Sequence, residues 1–366
     1  MTVTAPAGSE EWVRQVLTVQ WGEEWGVRAL RPLTVDGAVP LTHTAGLWNV
    51  TTPDGDHVLK VQLDAGAVRD ERFYPLKDRI VTHCRLQGVP ALPVVPAADG
   101  SPSVRHGGLA VELVPRSPGS AVAPGTREQA AAIVRTGLDL RQALDELPPG
   151  TSGELATVHL PLLVEEEHWP TALDDAERRL LPKALRGTGP WHRAAAATLR
   201  ELHATVPLLR RTFGDGDHGS AGPTPEARRA VVHGDLHLHH FLLARQGPAR
   251  VLAVLDFDNL HVGDRLLDLA WLADTAAYAC GDDTDGARAV LARLLADGRR
   301  RGLLGPGDEA LLMPLLMAHS LPVVVDIAKD ILDRGILSPQ WLGYFALLSP
   351  ARRLAVHRLL TAPAPH

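Results

Sequence analysis

The chain has 366 residues, of which 45% are hydrophobic and 22% charged, and its mean hydropathy is −0.02. The 37 basic and 43 acidic residues give a net charge of −6, which argues against a nucleic-acid-binding domain with a basic face. Two cysteines, Cys84 and Cys280, cannot build a disulfide framework, and no uninterrupted apolar run reaches membrane-spanning length. The N-terminal residues Met1 to Glu11 lack the basic and apolar regions of a signal peptide. A globular, cytoplasmic chain of one large or two ordinary domains is expected, with no nucleic-acid or membrane partner.

In chain order, residues 1–35 carry helical spacing (Trp12, Val16, Leu17) and then a connector. Leu41 to Val50 is β-rich, Thr52-Pro53-Asp54-Gly55-Asp56 is a turn signal, and His57 to Leu63 alternates as a strand. Arg69 to Gln87 has helical spacing, with Pro75 placing the helix start or a kink near it. Ala91 to Pro96 and Gly108 to Val114 predict two further strands, giving a small, mostly antiparallel sheet with one helix. The stretch Pro115 to Ser120 is a boundary or hinge signal, so the expected division is 1–114 and 115–366. Helical periodicity then dominates at 127–146, 171–186, 191–206, 265–279, 285–302, 308–333 and 339–361. One β-rich stretch, Ala230 to Leu260, interrupts it.

That interruption carries the chemistry. It reads Val231-Val232-His233-Gly234-Asp235-Leu236-His237-Leu238-His239-His240-Phe241-Leu242-Leu243, followed after a short loop by Val251 to Asp256, then Phe257 and Asp258. Two apolar strands flank a polar loop and end in paired acids. Such a pattern suits phosphoryl transfer, where one carboxylate orients an acceptor hydroxyl and another holds Mg²⁺ on nucleotide phosphates. Read alone, Asp235 could be a turn carboxylate, and His237, His239 and His240 solvated loop residues. The spacings do not form a zinc motif.

The stretch resembles the aminoglycoside phosphotransferase and choline kinase-like family. The shared pattern is His233-Gly234-Asp235, a ligand position five residues later at His240, Asp256, and Asp268 within Gly263-Asp264-Arg265-Leu266-Leu267-Asp268-Leu269-Ala270. The family usually has Asn where this chain has His240, and the macrolide phosphotransferase branch resembles it in having His. Neighbouring His239 leaves a one-residue slip open. An imidazole must be neutral to ligate, and Mg²⁺ prefers oxygen, so metal preference is the property this departure touches.

The resemblance implies an α+β, bilobal protein-kinase-like fold, with a small antiparallel-sheet N-lobe and a larger helical C-lobe. It implies Asp235 as catalytic base, His240 and Asp256 as metal ligands with Asp258 helping through water, and His233 and Asp268 supporting the catalytic loop. Lys60, at the end of an apolar strand, would meet the nucleotide phosphates, with Glu71 or Asp70 as its partner. The loop containing Thr44 and Gly46 would cover the phosphates, and Glu112 and Val114 would form the hinge to the purine. The implied co-substrates are a divalent cation such as Mg²⁺ and ATP or GTP. The implied acceptor is a hydroxyl of a small-molecule natural product of antibiotic type. A Ser/Thr kinase for a ribosomal precursor peptide, with a partner lyase, is the alternative; a pseudokinase scaffold is a further one. Glu165-Glu166-Glu167, Trp169 and Trp191 invite an acceptor role, against the plainer readings of a solvated face and core packing.

Overall fold

A computed structural model describes residues 7–34, 40, 42, 45–64, 68–121, 125–158, 169–214 and 226–362. Their packing divides the chain into two units, Met1–Ala121 with Leu147–Pro161 and His240–Asp258, and Val122–Glu146 with Leu162–His239 and Asn259–His366. The expected division was a single cut after residue 114. Two later segments instead join the sheet-bearing unit; in the second of them, Leu243 exchanges hydrogen bonds with Ser120 and the Val254 N–H donates to the Pro90 carbonyl.

The first unit is built on one antiparallel sheet. Its strands are β1 (Ala29–Pro32), β2 (Ala45–Thr52), β3 (Gly55–Gln62), β4 (Val104–His106) and β5 (Leu109–Pro115), in the order β1-β2-β3-β5-β4. Alternation in β3 puts Leu59 and Val61 on one buried face and Lys60 on the other. Helix α1 (Glu10–Trp21), capped by Ser9, lays Trp12, Val16, Leu17 and Trp21 into the same core as Val50, Leu59, Val61, Val111 and Leu113. Each such side chain contributes about 1.5–3 kcal/mol when fully buried. Helix α2 (Phe73–Leu86) starts two residues before Pro75, so the proline sits in the first turn where its missing N–H costs nothing. A hairpin of β7 (Phe241–Leu243) and β8 (Val251–Val254) and the short helix α4 (Thr151–Ala156) complete this unit.

Five strands form the sheet: three match predicted segments, and two come from elsewhere in the chain. The segment Ala91 to Pro96 is not a strand of it: Ala91 makes an isolated bridge to Val254 and Val95 N–H donates to the Leu113 carbonyl, while Pro93 and Pro96 remove further ladder donors. Ala29–Pro32, read as connector, and Val104–His106, too short to show alternation, take the places instead.

The second unit is helical: α3 (Arg127–Asp145), α5 (Trp169–Asp175), α6 (Leu181–Arg186), α7 (Pro190–His203), α8 (Val206–Phe213), α9 (Leu266–Ala279), α10 (Thr284–Arg300), α11 (Glu309–Lys329), α12 (Pro339–Leu347) and α13 (Pro350–Thr361). A Thr126–Gln129 capping box starts α3, and Pro350 splits the continuous periodicity of 339–361 into two helices. The helix from Glu309 to Arg334 is apolar enough by composition to cross a membrane, but most of that stretch is buried inside the unit. A two-stranded antiparallel ribbon pairs β6 (Arg229–Val232) with β9 (His261–Asp264), with the His233-Gly234-Asp235 turn following β6.

Candidate active site

In the helical unit, β6 ends at Val232 and the chain turns sharply through His233-Gly234-Asp235. Gly234 has φ +80°, and a Cβ there would lie 2.8 Å from the Asn259 carbonyl oxygen, so only glycine fits. The turn is fixed from below by Asp268, in the first turn of α9. Its carboxylate accepts from the backbone N–H of His233 and of Gly234, both at 3.0 Å, and from Arg141 Nη1 at 2.7 Å. Asp268 and Arg141 are fully buried. Trp271 Nε1 donates to the Gly234 carbonyl at 3.0 Å, and Thr275 Oγ1 to that of Leu236 at 2.9 Å. Positions 268, 271 and 275 share one face of α9, which therefore acts as a template for the loop backbone. Above this template the half-buried Asp235 carboxylate accepts from Asn259 Nδ2 at 3.3 Å, and His237 Nε2 lies 3.8 Å from it.

Two further histidines flank the loop. His261 and His319 stack with ring centroids 6.5 Å apart, and His319 hydrogen-bonds to the Gly234 backbone. Burial, aided by His261 and Arg353, pushes the His319 pKa down to about 3. A histidine depressed in this way refuses a proton that the unfolded chain accepts near pH 6.5. Stability is therefore unaffected above that pH and falls as the pH drops from 6.5 towards 3, by up to about 2 kcal/mol at pH 5. Replacing His319 with Gln is expected to flatten the fall in melting temperature between pH 7 and 5. An acid slope equal to that of the wild type would contradict this assignment.

The sheet unit holds a second cluster. Lys60 Nζ lies 2.8 Å from Asp256 Oδ1 and 2.7 Å from Asp258 Oδ2. Lys77, from α2, donates to Asp258 Oδ1 and Glu112 Oε2, both at 2.6 Å. Burial opposes the charge on both lysines, but the facing carboxylates overcome it and hold each pKa above the ordinary lysine value. Burial likewise raises carboxylate pKa values, yet the two lysines hold Asp258 well below its usual range. For Glu112, burial and the Asp258 charge prevail over Lys77 and push it up. Among the described residues Asp256 is the one non-glycine with positive φ, at 61°. Left-handed backbone is costly for a residue with a side chain and marks functional sites, and aspartate is among those that tolerate it. This conformation leaves Asp256 Oδ2 facing His240 Nε2 at 3.7 Å. A carboxylate and an imidazole converging at that distance form a donor set that fits a divalent cation.

The structure thus brings Lys60, Asp256, Asp258 and His240 together in one unit, and His233, Asp235 and Asp268 in the other. It does not bring Glu71 to Lys60: Glu71 precedes α2, is largely exposed and lies 3.8 Å from Arg105. Asp70, the alternative, pairs with Arg72 at 3.0 Å. Glu112 and Val114 lie inside β5, opposite Lys60 and Val58, in a ladder with β3 that continues to Pro115. Gly46 lies in β2 opposite Val61. Thr44 and Glu165 to Glu167 fall outside the described residues. Trp169 is buried against Phe213, a core role, and Trp191 is half-buried. Lys77, Arg141, Asn259 and Trp271 were not singled out from the sequence.

No curated protein matches the sequence. Solved structures do match along nearly all of it. A spectinomycin phosphotransferase, APH(9)-Ia, in complex with ADP and spectinomycin superposes with a TM-score of 0.62 at 9% identity, covering 96% of this chain and 97% of that one. The microcompartment-associated aminopropanol kinase gives 0.61 at 17% identity, covering 97% and 98%. The amicoumacin kinase hAmiN, in complex with AMP-PNP, Ca²⁺ and Ami, gives 0.58 at 13% identity, covering 98% and 96%. At such identities the likeness establishes the kinase-like α+β fold. The profile described as "Phosphotransferase enzyme family" matches residues 46–304, a span that contains Lys60, Asp235, Asp256 and Asp268. With that match over most of its length, and with the loop and lysine–carboxylate clusters that it spans, the chain belongs to the phosphotransferase enzyme family.

Proposed function

We propose that the protein transfers the γ-phosphoryl group of ATP or GTP to a hydroxyl of a small-molecule natural product. The observation that carries this reading is the half-buried Asp235 carboxylate on a backbone pinned by Asp268, Trp271 and Thr275. Phosphoryl transfer needs little covalent help from protein, and positioning plus charge neutralisation supply most of the acceleration. Asp235 accepts a hydrogen bond from the acceptor hydroxyl, orients its oxygen and takes its proton as the new P–O bond forms. Lys60 exchanges its carboxylate partners for nucleotide phosphate oxygens. A divalent cation held by Asp256 and His240 would neutralise phosphate charge. The similar structures, a phosphotransferase named for spectinomycin and a kinase named for amicoumacin among them, support a small-molecule acceptor.

The test is nucleoside-diphosphate release with Mg²⁺ across aminoglycosides, macrolides, other hydroxylated natural products and candidate precursor peptides. Acceptor-dependent release from a small molecule is expected. Release with a peptide alone would overturn the acceptor class, and absence of both release and nucleotide binding would overturn the activity.

His240 gives a second expectation. His240→Asn replaces a nitrogen donor by an oxygen, which suits Mg²⁺ better than it suits softer cations. The variant is expected to retain activity within about tenfold of the wild type while its ratio of Mg²⁺- to Mn²⁺-supported rates rises by about threefold or more. An unchanged ratio would remove His240 from the metal site.

A further inference from the structure

Lys77 has no part in the function just proposed, yet it sits at the centre of the lysine–carboxylate cluster. Its ammonium is buried and bridges Glu112 and Asp258 Oδ1. The other oxygen of Asp258, Oδ2, meets Lys60. Both oxygens of Asp258 are therefore engaged by ammoniums. Asp256 is different: Oδ1 meets Lys60, while Oδ2 faces His240 at 3.7 Å, beyond hydrogen-bond reach. The two acids, two residues apart, are thus placed for different tasks.

We propose that Lys77 is a positioning residue for phosphoryl transfer. It is the resident counter-cation of Asp258 and Glu112, keeps Asp258 Oδ1 engaged and its charge compensated once Lys60 moves to the nucleotide, and so disfavours Asp258 as a metal ligand while leaving Lys60 free to move. This rests on reading Lys60 and Asp256 as nucleotide and metal groups, and it revises the expectation that Asp258 helps hold the metal. Electrostatics supplies the reason. Lys60 is the register partner of Glu112 across β3 and β5 and also contacts Asp258. Without Lys77, the buried Glu112 and the half-buried Asp258 would be left with Lys60 as the lysine of this cluster. An uncompensated buried carboxylate holds a nearby ammonium strongly, so Lys60 would be slow to leave for phosphate. With Lys77 present, Asp258 keeps a partner when Lys60 departs.

The experiment titrates Mn²⁺, by electron paramagnetic resonance, with β,γ-imido ATP and in parallel with β,γ-imido GTP. The proteins are the wild type, Asp256→Asn, Asp258→Asn, Lys77→Met and the double variant Lys77→Met/Asp258→Asn. Asp256→Asn is expected to weaken Mn²⁺ binding by about tenfold or more, and Asp258→Asn to leave it within about threefold. Lys77→Met is expected to weaken nucleotide binding by about tenfold, and the added Asp258→Asn to recover most of that loss by removing the carboxylate that retains Lys60. A purely structural role for Lys77 would show no such recovery. The inference is overturned if Asp258→Asn loses Mn²⁺ as Asp256→Asn does, or if the double variant binds nucleotide no better than Lys77→Met. Should melting curves show Lys77→Met unfolded, the Asp258→Asn result still decides, since that variant keeps Lys77. If Mn²⁺ binding survives Asp256→Asn intact, the metal-site reading itself falls, and the inference with it.

Discussion

Asp235→Asn is expected to lower kcat by about 10²–10⁴-fold while nucleotide affinity stays within about threefold. The substitution keeps side-chain shape and the neighbourhood of Asn259 and His237, but removes the charge and the basic lone pair. The Asp235 backbone is held by contacts its side chain does not make, so the turn is expected to survive. Asp235 lies in the helical unit, whereas Lys60 and Asp256 lie in the sheet unit. That separation predicts the split between a lost chemical step and retained nucleotide binding. Steady-state kinetics with a binding titration checks it. Near-wild-type kcat would remove Asp235 from the proton-transfer role, and lost nucleotide binding would show that it acts elsewhere.

The second large effect concerns Asp268. Its carboxylate accepts two backbone N–H groups of the loop and the buried Arg141 guanidinium, across 35, 34 and 127 residues of sequence. Removing one partner of a buried ion pair leaves the other charge uncompensated. Asp268→Ala is therefore expected to destabilise the protein by about 3–5 kcal/mol, and the folded fraction is expected to lose activity because the Gly234 turn is released. Denaturant unfolding measures the first, and kcat per folded molecule the second. Arg141→Met should destabilise comparably, since it leaves Asp268 buried and unpaired by its cation. A loss below about 1 kcal/mol in both variants would show that the pair is not what fixes the loop.

The elements most legible in the sequence are those with local signatures. The alternation of Leu59, Lys60 and Val61 reveals β3 and the face that carries the lysine. The His233-Gly234-Asp235 turn and the spacing to Asp256 and Asp268 reveal the loop and its support, because glycine and short-range geometry dictate them. Helices at 127–146 and 285–302 follow from periodicity. What escaped has long-range causes. Lys77 reads as an ordinary helix-face lysine, yet it meets acids 35 and 181 residues away. Arg141 looks like one more arginine in an arginine-rich chain until α9 folds against α3. The resemblance implies Glu71, at the start of the next helix, as the lysine's partner, but α2 begins only at Phe73, and the half-buried acids that reach Lys60 come from the β8 end. Ala91 to Pro96 shows the converse error, where apolar composition suggested a strand that its prolines forbid.

The most direct test of the central claim is to incubate the protein with Mg²⁺, γ-labelled ATP or GTP and the acceptor that stimulates diphosphate release, and to analyse the acceptor by mass spectrometry and ³¹P NMR. The expected result is one added phosphoryl group, as a phosphate monoester on an acceptor oxygen, carrying the γ-label and absent with Asp235→Asn. Label recovered only as inorganic phosphate, or an acceptor unchanged while nucleotide is consumed, would contradict a hydroxyl-directed phosphotransferase.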